Sequence, residues 1–414
     1  MNQLAHRDDC RLCGSRTLDM VMRLTPTPPG DMYLPPAQAA KASTAYPLDL
    51  YLCRDCGYAN LLDILDPDSI YKEYIYTTTS SPGLIKHFEG YARHVVERLR
   101  LPSGSLAVDM GSNDGALLRE LKKVGMRVVG VEPSPEIAAA ATKEGLPTLN
   151  RYFDAKAVET IRNDHGSANL VTANNVFANI DDVSTVVDNV KTLLAPGGVF
   201  VVEFAYLGDL IKNRIFDYIY HEHLSYFSVD ALRRMFVAKD MKIVGVEHVE
   251  TKGGSVRIYV QRASDAPALA DNLDSWIAAE DHQRLRDPET YRALLQTVDE
   301  TAASCRALLD KYKSEKRRIV GYGASVTCTT LIYHFGLAKY LDVLVDDNAA
   351  KIGTVCPGLG IDVRPSSALD ADGQTVVVVL AWRFADMIIE RNRDVLSRGG
   401  VFVVPMPELK LVDK

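Results

Sequence analysis

An α/β fold divided among several cores is what this sequence predicts, and three observations carry the prediction. Two C-x-x-C-G pairs lie at Cys10 to Gly14 and Cys53 to Gly57. Two later stretches, one from Leu106 and one from Ile319, each read as an apolar strand, a glycine-bearing turn and a helix start. A chain of 414 residues is also too long for one ordinary core, at roughly 150 residues per domain. The hydrophobic share of 47% and the charged share of 24% match soluble globular proteins and exclude disordered, collagenous and low-complexity classes. With 47 Lys and Arg against 54 Asp and Glu, the net charge of -7 argues against a dedicated nucleic-acid binder and leaves a small molecule as the expected partner. No apolar run approaches the roughly 18 residues of a membrane span, and Met1 to Asp9 lacks the apolar stretch of a signal peptide. A cytoplasmic, monomeric protein with no membrane partner is expected.

The first unit, residues 1–68, reads as a metal module. Cys10 and Cys13, and again Cys53 and Cys56, are spaced so that two thiolates of one tight turn reach the same ion. Gly14 and Gly57 permit the positive φ that such knuckles use. Four cysteines so arranged point to tetrahedral Zn2+, in a closed and therefore structural site. The 40 positions from Cys13 to Cys53 are long for a compact ribbon, and Pro26, Pro28, Pro29, Pro35 and Pro36 predict a loop or hairpin insertion between them. A redox pair is the competing reading, but such a pair occurs singly and beside a βαβ unit. Cys305, Cys328 and Cys356 are scattered and read as small buried hydrophobes.

The second unit, residues 69–262, opens its α/β pattern with the strand Leu106 to Asp109, the turn Gly111-Ser112-Asn113-Asp114-Gly115 and a helix from Ala116. A second strand, Val128 to Val131, ends in Glu132, about 20 residues beyond Asp109, where an acid can accept both hydroxyls of a ribose. Such a turn serves NAD and S-adenosylmethionine (SAM) alike. The dinucleotide fingerprint requires G-x-G-x-x-G to receive pyrophosphate at a helix start, whereas this turn reads D-x-G-x-x-D-G. SAM has no phosphate, so Asp109 and Asp114 favour it. Further strands are expected at Asn169 to Ala173 and Val199 to Glu203, with Ala195 to Gly198 as the turn before the latter.

After that strand comes a stretch dense in titratable and aromatic groups: Tyr206, then Phe216-Asp217-Tyr218-Ile219-Tyr220-His221-Glu222-His223-Leu224-Ser225-Tyr226-Phe227. Residues beyond the carboxyl end of a strand in such a sheet face the ligand crevice, so Tyr206 and His221 are expected against a methyl acceptor. A metal reading of His221, Glu222 and His223 fails on spacing, since paired ligands on a helix sit at i and i+4. A hydrogen-bonded core cluster and general acid/base chemistry both remain open at this point.

Leu194-Ala195-Pro196-Gly197-Gly198 and Asn174-Asn175-Val176-Phe177 resemble the class I methyltransferase core, and the two C-x-x-C-G knuckles, Val108-Asp109-Met110-Gly111-Ser112-Asn113-Asp114-Gly115 and Tyr220-His221-Glu222-His223-Leu224-Ser225-Tyr226-Phe227-Ser228 together resemble the family of SAM-dependent sugar C-methyltransferases. These act on nucleotide-linked 4-keto deoxysugars. The resemblance covers essentially the whole chain. It implies a class I SAM methyltransferase core, Rossmann-like, between a small zinc module and a second, C-terminal Rossmann-like domain that helps to hold the nucleotide sugar. It implies a cofactor site at Asp109, Gly111, Asn113, Asp114, Gly115, Glu132 and Asn174. It also implies catalytic roles for Tyr220, Glu222, His223 and Tyr76, with His221 at the variable position. Asn179 stands where some relatives have histidine. Carbon methylation requires removal of a proton alpha to a carbonyl, which gives His223, oriented by Glu222, the role of base and Tyr76 or Tyr220 that of enolate donor.

Residues 263–313 are rich in Ala, Leu, Asp, Glu and Arg with helical periodicity and read as a helical connector. Just before it, Lys252-Gly253-Gly254-Ser255-Val256-Arg257 opens a strand, and Arg257 is a candidate phosphate contact. The last unit, residues 314–414, repeats strand, turn and helix at Ile319 to Ser325 and a strand ending at Asp346. Backbone N–H groups of Gly323, Ala324 and Ser325 at a helix start are candidates for a pyrophosphate. Val326 fills the third glycine's place, which disfavours NAD, and Thr327 stands where relatives carry a lysine. The alternatives are a SAM-dependent O- or N-methyltransferase or one with a non-sugar acceptor, an NAD-dependent oxidoreductase on two Rossmann-like domains, and a non-catalytic zinc-bearing assembly protein.

Overall fold

In the computed structural model, residues 4–71, 78–80, 82–269, 272–369 and 374–413 are described. The N-terminal unit contains strands β1 (Leu4–His6), β2 (Leu18–Thr27), β3 (Tyr46–Cys53), β4 (Ala59–Leu61) and β5 (Asp63–Leu65). β2 and β3 form the expected hairpin between the two knuckles, and the proline-rich insertion carries a short 3₁₀ turn at Pro36–Ala42. Alternate residues of β3, Leu48, Leu50 and Leu52, are each no more than 2% exposed, the period-2 pattern of a strand with one face on a core.

The central sheet is built from β6 (Leu106–Met110), β7 (Arg127–Val131), β8 (Thr148–Leu149), β9 (Ala168–Asn174) and β10 (Leu194–Ala205). After a two-residue strand β11 (Ser225–Tyr226), the chain returns to this sheet with β12 (Met241–Val249) and β13 (Ser255–Arg262). The order is β12-β13-β10-β9-β6-β7-β8. All neighbours from β8 to β10 are parallel, and β13 runs antiparallel to both β10 and β12. This is a class I methyltransferase core, the fold class expected. Because the chain leaves β6 toward β7 and returns on the other side at β9, the carboxyl ends of β6 and β9 flank a crevice suited to a ligand. Leu194 to Gly198 is drawn into β10 rather than forming a separate turn. The register slip sits between Leu194 and Val199.

The strand β11 does not join that sheet. It pairs antiparallel with β4, Ser225 opposite Asn60 and Tyr226 opposite Ala59, so the N-terminal four-stranded sheet has the order β11-β4-β3-β2. Leu61 N–H also donates to Leu224 O at 3.0 Å, and Tyr58 donates to the Ser225 hydroxyl. The metal module therefore holds the segment that follows β10.

A helix Pro288–Ser314 leads into the C-terminal sheet of β14 (Ile319–Tyr322), β15 (Val343–Asp346), β16 (Val363–Pro365), β17 (Val376–Val379), β18 (Val401–Val404) and β19 (Lys410–Val412). Its order, β16-β15-β14-β17-β18-β19, again puts a switch point at the first strand, between β14 and β17. The proline-rich insertion touches this unit: Thr329 donates to Gly30 O at 2.8 Å, and Lys351 pairs with Asp31 at 2.7 Å. One apolar cluster runs from β2 and β3 through Tyr218 and Tyr220 to the C-terminal strands. Among the described residues no helix is long and apolar enough to cross a membrane.

Candidate active site

The four cysteines of the knuckles converge. Cys10 Sγ lies 3.6 Å from Cys56 Sγ and Cys13 Sγ 3.6 Å from Cys53 Sγ, and all four sulfurs lie within 4.8 Å of one another. Four sulfurs about 2.3 Å from one ion at tetrahedral angles would stand roughly 3.8 Å apart, so the set fits zinc. Gly14 and Gly57 adopt φ of 71° and 74°, as the knuckle turns require. Three of the four cysteines are buried. With four protein ligands the ion would keep no open position, so its role is to hold the strands that carry the ligands.

At the carboxyl ends of β6 and β9 lies a cavity of about 490 Å³. Gly111, Asn113, Glu132 and Asn174 line it, as expected of cofactor groups. Glu132 takes backbone N–H from Asn113 at 2.9 Å and Ser134 at 2.8 Å, and burial raises its pKa. Asn179 Oδ1 and Asn189 Nδ2, both in the cavity wall, are buried without a hydrogen-bond partner, as groups awaiting a polar ligand would be. The donor set therefore fits SAM. Three other expected contacts are not among the lining residues. Asp109, 4% exposed, accepts from Thr172 Oγ1 at 2.6 Å, tying β6 to β9, and desolvation raises its pKa to about 7. Asp114 accepts from Thr79 N–H at 2.9 Å and from its hydroxyl at 2.6 Å, while Asn113 Oδ1 accepts from Thr78 N–H at 2.8 Å. Asn113 and Asp114 of the turn thus latch the segment at Thr78 and Thr79. Gly115 is the N-cap of the helix Ala116–Lys123.

Beyond β10 the segment folds back in a turn closed by His223 N–H on Tyr220 O at 2.9 Å. This brings Tyr220 and His223 together: the Tyr220 hydroxyl lies 2.9 Å from His223 Nε2, with ring centroids 4.1 Å apart. Desolvation and the positive charge of Lys252 push the His223 pKa down to about 3, against a backbone hydrogen bond to Tyr218, so the imidazole is neutral near pH 7. Among the described residues no hydrogen bond joins Glu222 to it. Residues 221 and 222 occupy the middle of the turn and point elsewhere. Glu222 faces Asp31 and Lys351; desolvation and Asp31 raise its pKa to about 8, with Lys351 opposing. His221, 2% exposed, meets Pro47 O through Nε2 at 3.1 Å and Tyr46 edge-on, and desolvation lowers its pKa to about 4. It packs on the metal module and not on a ligand crevice. Tyr76 lies outside the described residues.

The remaining expected contacts are committed elsewhere. Tyr206 donates to Glu280 at 2.9 Å and is 3% exposed. Arg257 is buried against Glu203 through Nε at 3.0 Å and Nη2 at 2.8 Å, and stacks over Tyr91 at 4.2 Å, which leaves no free fork for a phosphate. At the C-terminal turn, Gly323 N–H donates to Val345 O at 2.8 Å and Ala324 N–H to Asp346 at 2.7 Å, while Ser325 caps the helix Val326–Phe335. Two of the three donors expected for a pyrophosphate are therefore satisfied internally. What sequence reading missed is Arg383, just past β17 at the switch point. It reaches Asp217 at 3.1 Å and Thr327 at 3.3 Å and lies over the Tyr218 ring at 4.5 Å. A basic residue four positions after the β-branched run of β17 was the available signal.

The comparisons with known proteins divide the chain in the same way. Residues 10–71 match a model described as a zinc binding domain, 84–245 a methyltransferase domain, and 250–407 the C-methyltransferase C-terminal domain. The C-methyltransferase NovU of Streptomyces niveus is 33% identical over 411 residues, covering 98% of this chain and 97% of that one. Among solved structures, magnesium protoporphyrin IX methyltransferase (ChlM) from Synechocystis PCC 6803 with bound SAM aligns at 14% identity with a TM-score of 0.33, over 44% of this chain and 80% of its own. The CcbJ methyltransferase from Streptomyces caelestis aligns at 14% identity and a TM-score of 0.35, over 48% and 96%.

Proposed function

The chain belongs to the C-methyltransferase family and is a SAM-dependent methyltransferase, and from that premise we propose that its acceptor is a nucleotide-linked keto deoxysugar, methylated at the carbon alpha to the ketone through an enolate. The observation that carries this reading is the Tyr220–His223 pair, a neutral imidazole 2.9 Å from a hydroxyl donor, within the electrostatic reach of Lys252 in the cavity wall. A base and a donor so close can engage the two ends of one H–C–C=O unit. His223 takes the alpha proton on its ring nitrogen. The C–H pair becomes the C=C bond, and the carbonyl π pair moves to oxygen, where the Tyr220 hydroxyl donates a hydrogen bond. Bound SAM supplies a methyl group on a positive sulfur, which keeps the bonding pair as the enolate carbon attacks. Asn113, Glu132, Asn174 and Asn179 hold the donor molecule at the carboxyl ends of β6, β7 and β9. Arg383, at the C-terminal switch point, offers a cation to the acceptor's phosphates once it exchanges Thr327 for them. Glu222, protonated near neutrality, is left as a hydrogen-bond donor rather than a partner of His223.

The test is proton exchange. In D2O, with a panel of nucleoside-diphosphate 4-keto deoxysugars, the enzyme is expected to wash deuterium into the alpha position and to place the methyl group on that carbon, both read by NMR. His223→Asn should lower turnover by about 10² to 10⁴-fold with SAM affinity little changed. Methyl transfer to oxygen or nitrogen without exchange, or full turnover in a folded His223→Asn protein, would sink the reading.

A further inference from the structure

One cation stands between the donor cavity and the His223 imidazole without a role in the scheme above. Lys252 lines the cavity and makes no hydrogen bond or ion pair among the described residues. Its charge is close enough to act on His223, and it feels in turn Glu203 of β10 and Arg383 of the C-terminal unit. Desolvation lowers its own pKa to about 8, Glu203 opposing and Arg383 adding to the shift, so the ammonium form still prevails at pH 7.

The backbone is arranged to put it there. Lys252 lies in the turn Thr251–Gly253 between β12 and β13 and adopts φ of 56°, a left-handed conformation that costs a non-glycine residue energy. The turn is pinned on both sides. Gly253 O accepts from Asn213 Nδ2 at 3.1 Å, and Gly254 O accepts from Tyr206 N–H at 3.1 Å. Gly254, at φ of 125°, is pressed so closely on Asp209 that a Cβ would collide with its carboxylate. A Cβ at Gly253 would stand 3.4 Å from Arg383 Cδ, which places the turn at the seam of the two larger units. A pinned turn in the left-handed region thus sets a cation without a hydrogen-bond partner among the described residues in the wall of the cavity.

We propose that Lys252 is a further catalytic group, whose ammonium donates a charge-assisted hydrogen bond to the acceptor's carbonyl oxygen as negative charge develops there. The proposal rests on the enolate reading above. Lys252 transfers no proton. It holds the oxyanion while His223 carries the proton removed from carbon, and the oxygen returns to a carbonyl when the carbon–methyl bond forms. A cation preorganised in a site of low dielectric gains most in the transition state, where the charge is largest, so its removal should lower kcat more than it raises KM.

Lys252→Met and Lys252→Arg separate the outcomes. With the same 4-keto deoxysugar panel, Lys252→Met is expected to slow both deuterium washout and methyl transfer by about 10² to 10³-fold. SAM affinity by calorimetry and zinc content should stay near the parent's, which shows that the protein is folded. Lys252→Arg should restore part of the loss, because it keeps the charge and moves the donor. Washout at the parent rate in Lys252→Met overturns the proposal. So does weakened SAM binding with undiminished kcat at saturating SAM, which would assign the ammonium to the donor's carboxylate. If the parent enzyme itself neither exchanges the alpha proton nor methylates carbon, the enolate reading falls and this proposal with it, whereas exchange by the parent with an indifferent Lys252→Met sinks the proposal alone.

Discussion

Tyr220 and His223 were legible as residue types, but their pairing was not. Three residues apart in a tight turn they meet at 2.9 Å, while the adjacent Glu222 points toward Asp31 and Lys351. Adjacency in sequence suggested Glu222 as the partner, and the turn's geometry decided for Tyr220. The same turn explains His221, whose buried ring is held neutral against Pro47. Its pKa of about 4 lies below the ordinary value near 6.5, so between those limits the unfolded chain binds a proton that the folded chain does not. Stability from this group is complete above pH 6.5 and drains away as pH falls toward 4. His221→Gln, which keeps a donor for Pro47 O and cannot titrate, should flatten the fall of the melting midpoint over that window. An unchanged acid slope in differential scanning calorimetry would show that other groups set it.

At the level of elements, the strands of the central sheet and the two cysteine pairs could be read from pattern, since both are local signals. β11 could not. It is two residues long, and its pairing with β4 bridges distant parts of the chain, a contact no periodicity encodes. For the same reason Arg257 read as a candidate phosphate contact, while its partner Glu203 lies opposite it on β10 at a register only the fold supplies. The β4–β11 pair ties the cysteine module to the segment that carries Tyr220 and His223. Cys56, three residues before β4, is both ligand and anchor. Cys56→Ser should lose the ion, fray that sheet and depress methyl transfer by at least about tenfold. SAM affinity should persist, because β6 to β10 carry the cavity. Zinc by atomic absorption and SAM by calorimetry check the two halves, and full turnover without metal would contradict the coupling.

On the scale of the whole molecule, three units meet around the segment 216–223. Asp217, fully buried, accepts from Trp382 Nε1 at 2.9 Å and from Arg383 at 3.1 Å, and so pins the C-terminal unit to the catalytic one. Asp217→Asn should cost about 3 kcal/mol by leaving Arg383 without its buried counter-charge. Amide exchange should quicken around Trp382 to Arg391, and acceptor KM should rise with SAM affinity preserved; unaltered exchange there would show that other contacts dock the unit. The shared four-stranded sheet also bears on how the chain is made. β4 leaves the ribosome long before Ser225 and Tyr226 exist to cover it, an interval of roughly ten to thirty seconds at ordinary elongation rates. During it, the nascent protein presents a naked backbone margin to its surroundings. That margin is only three residues long, too short to recruit a stranger's strand, so brevity itself guards the newborn chain until its own late segment arrives.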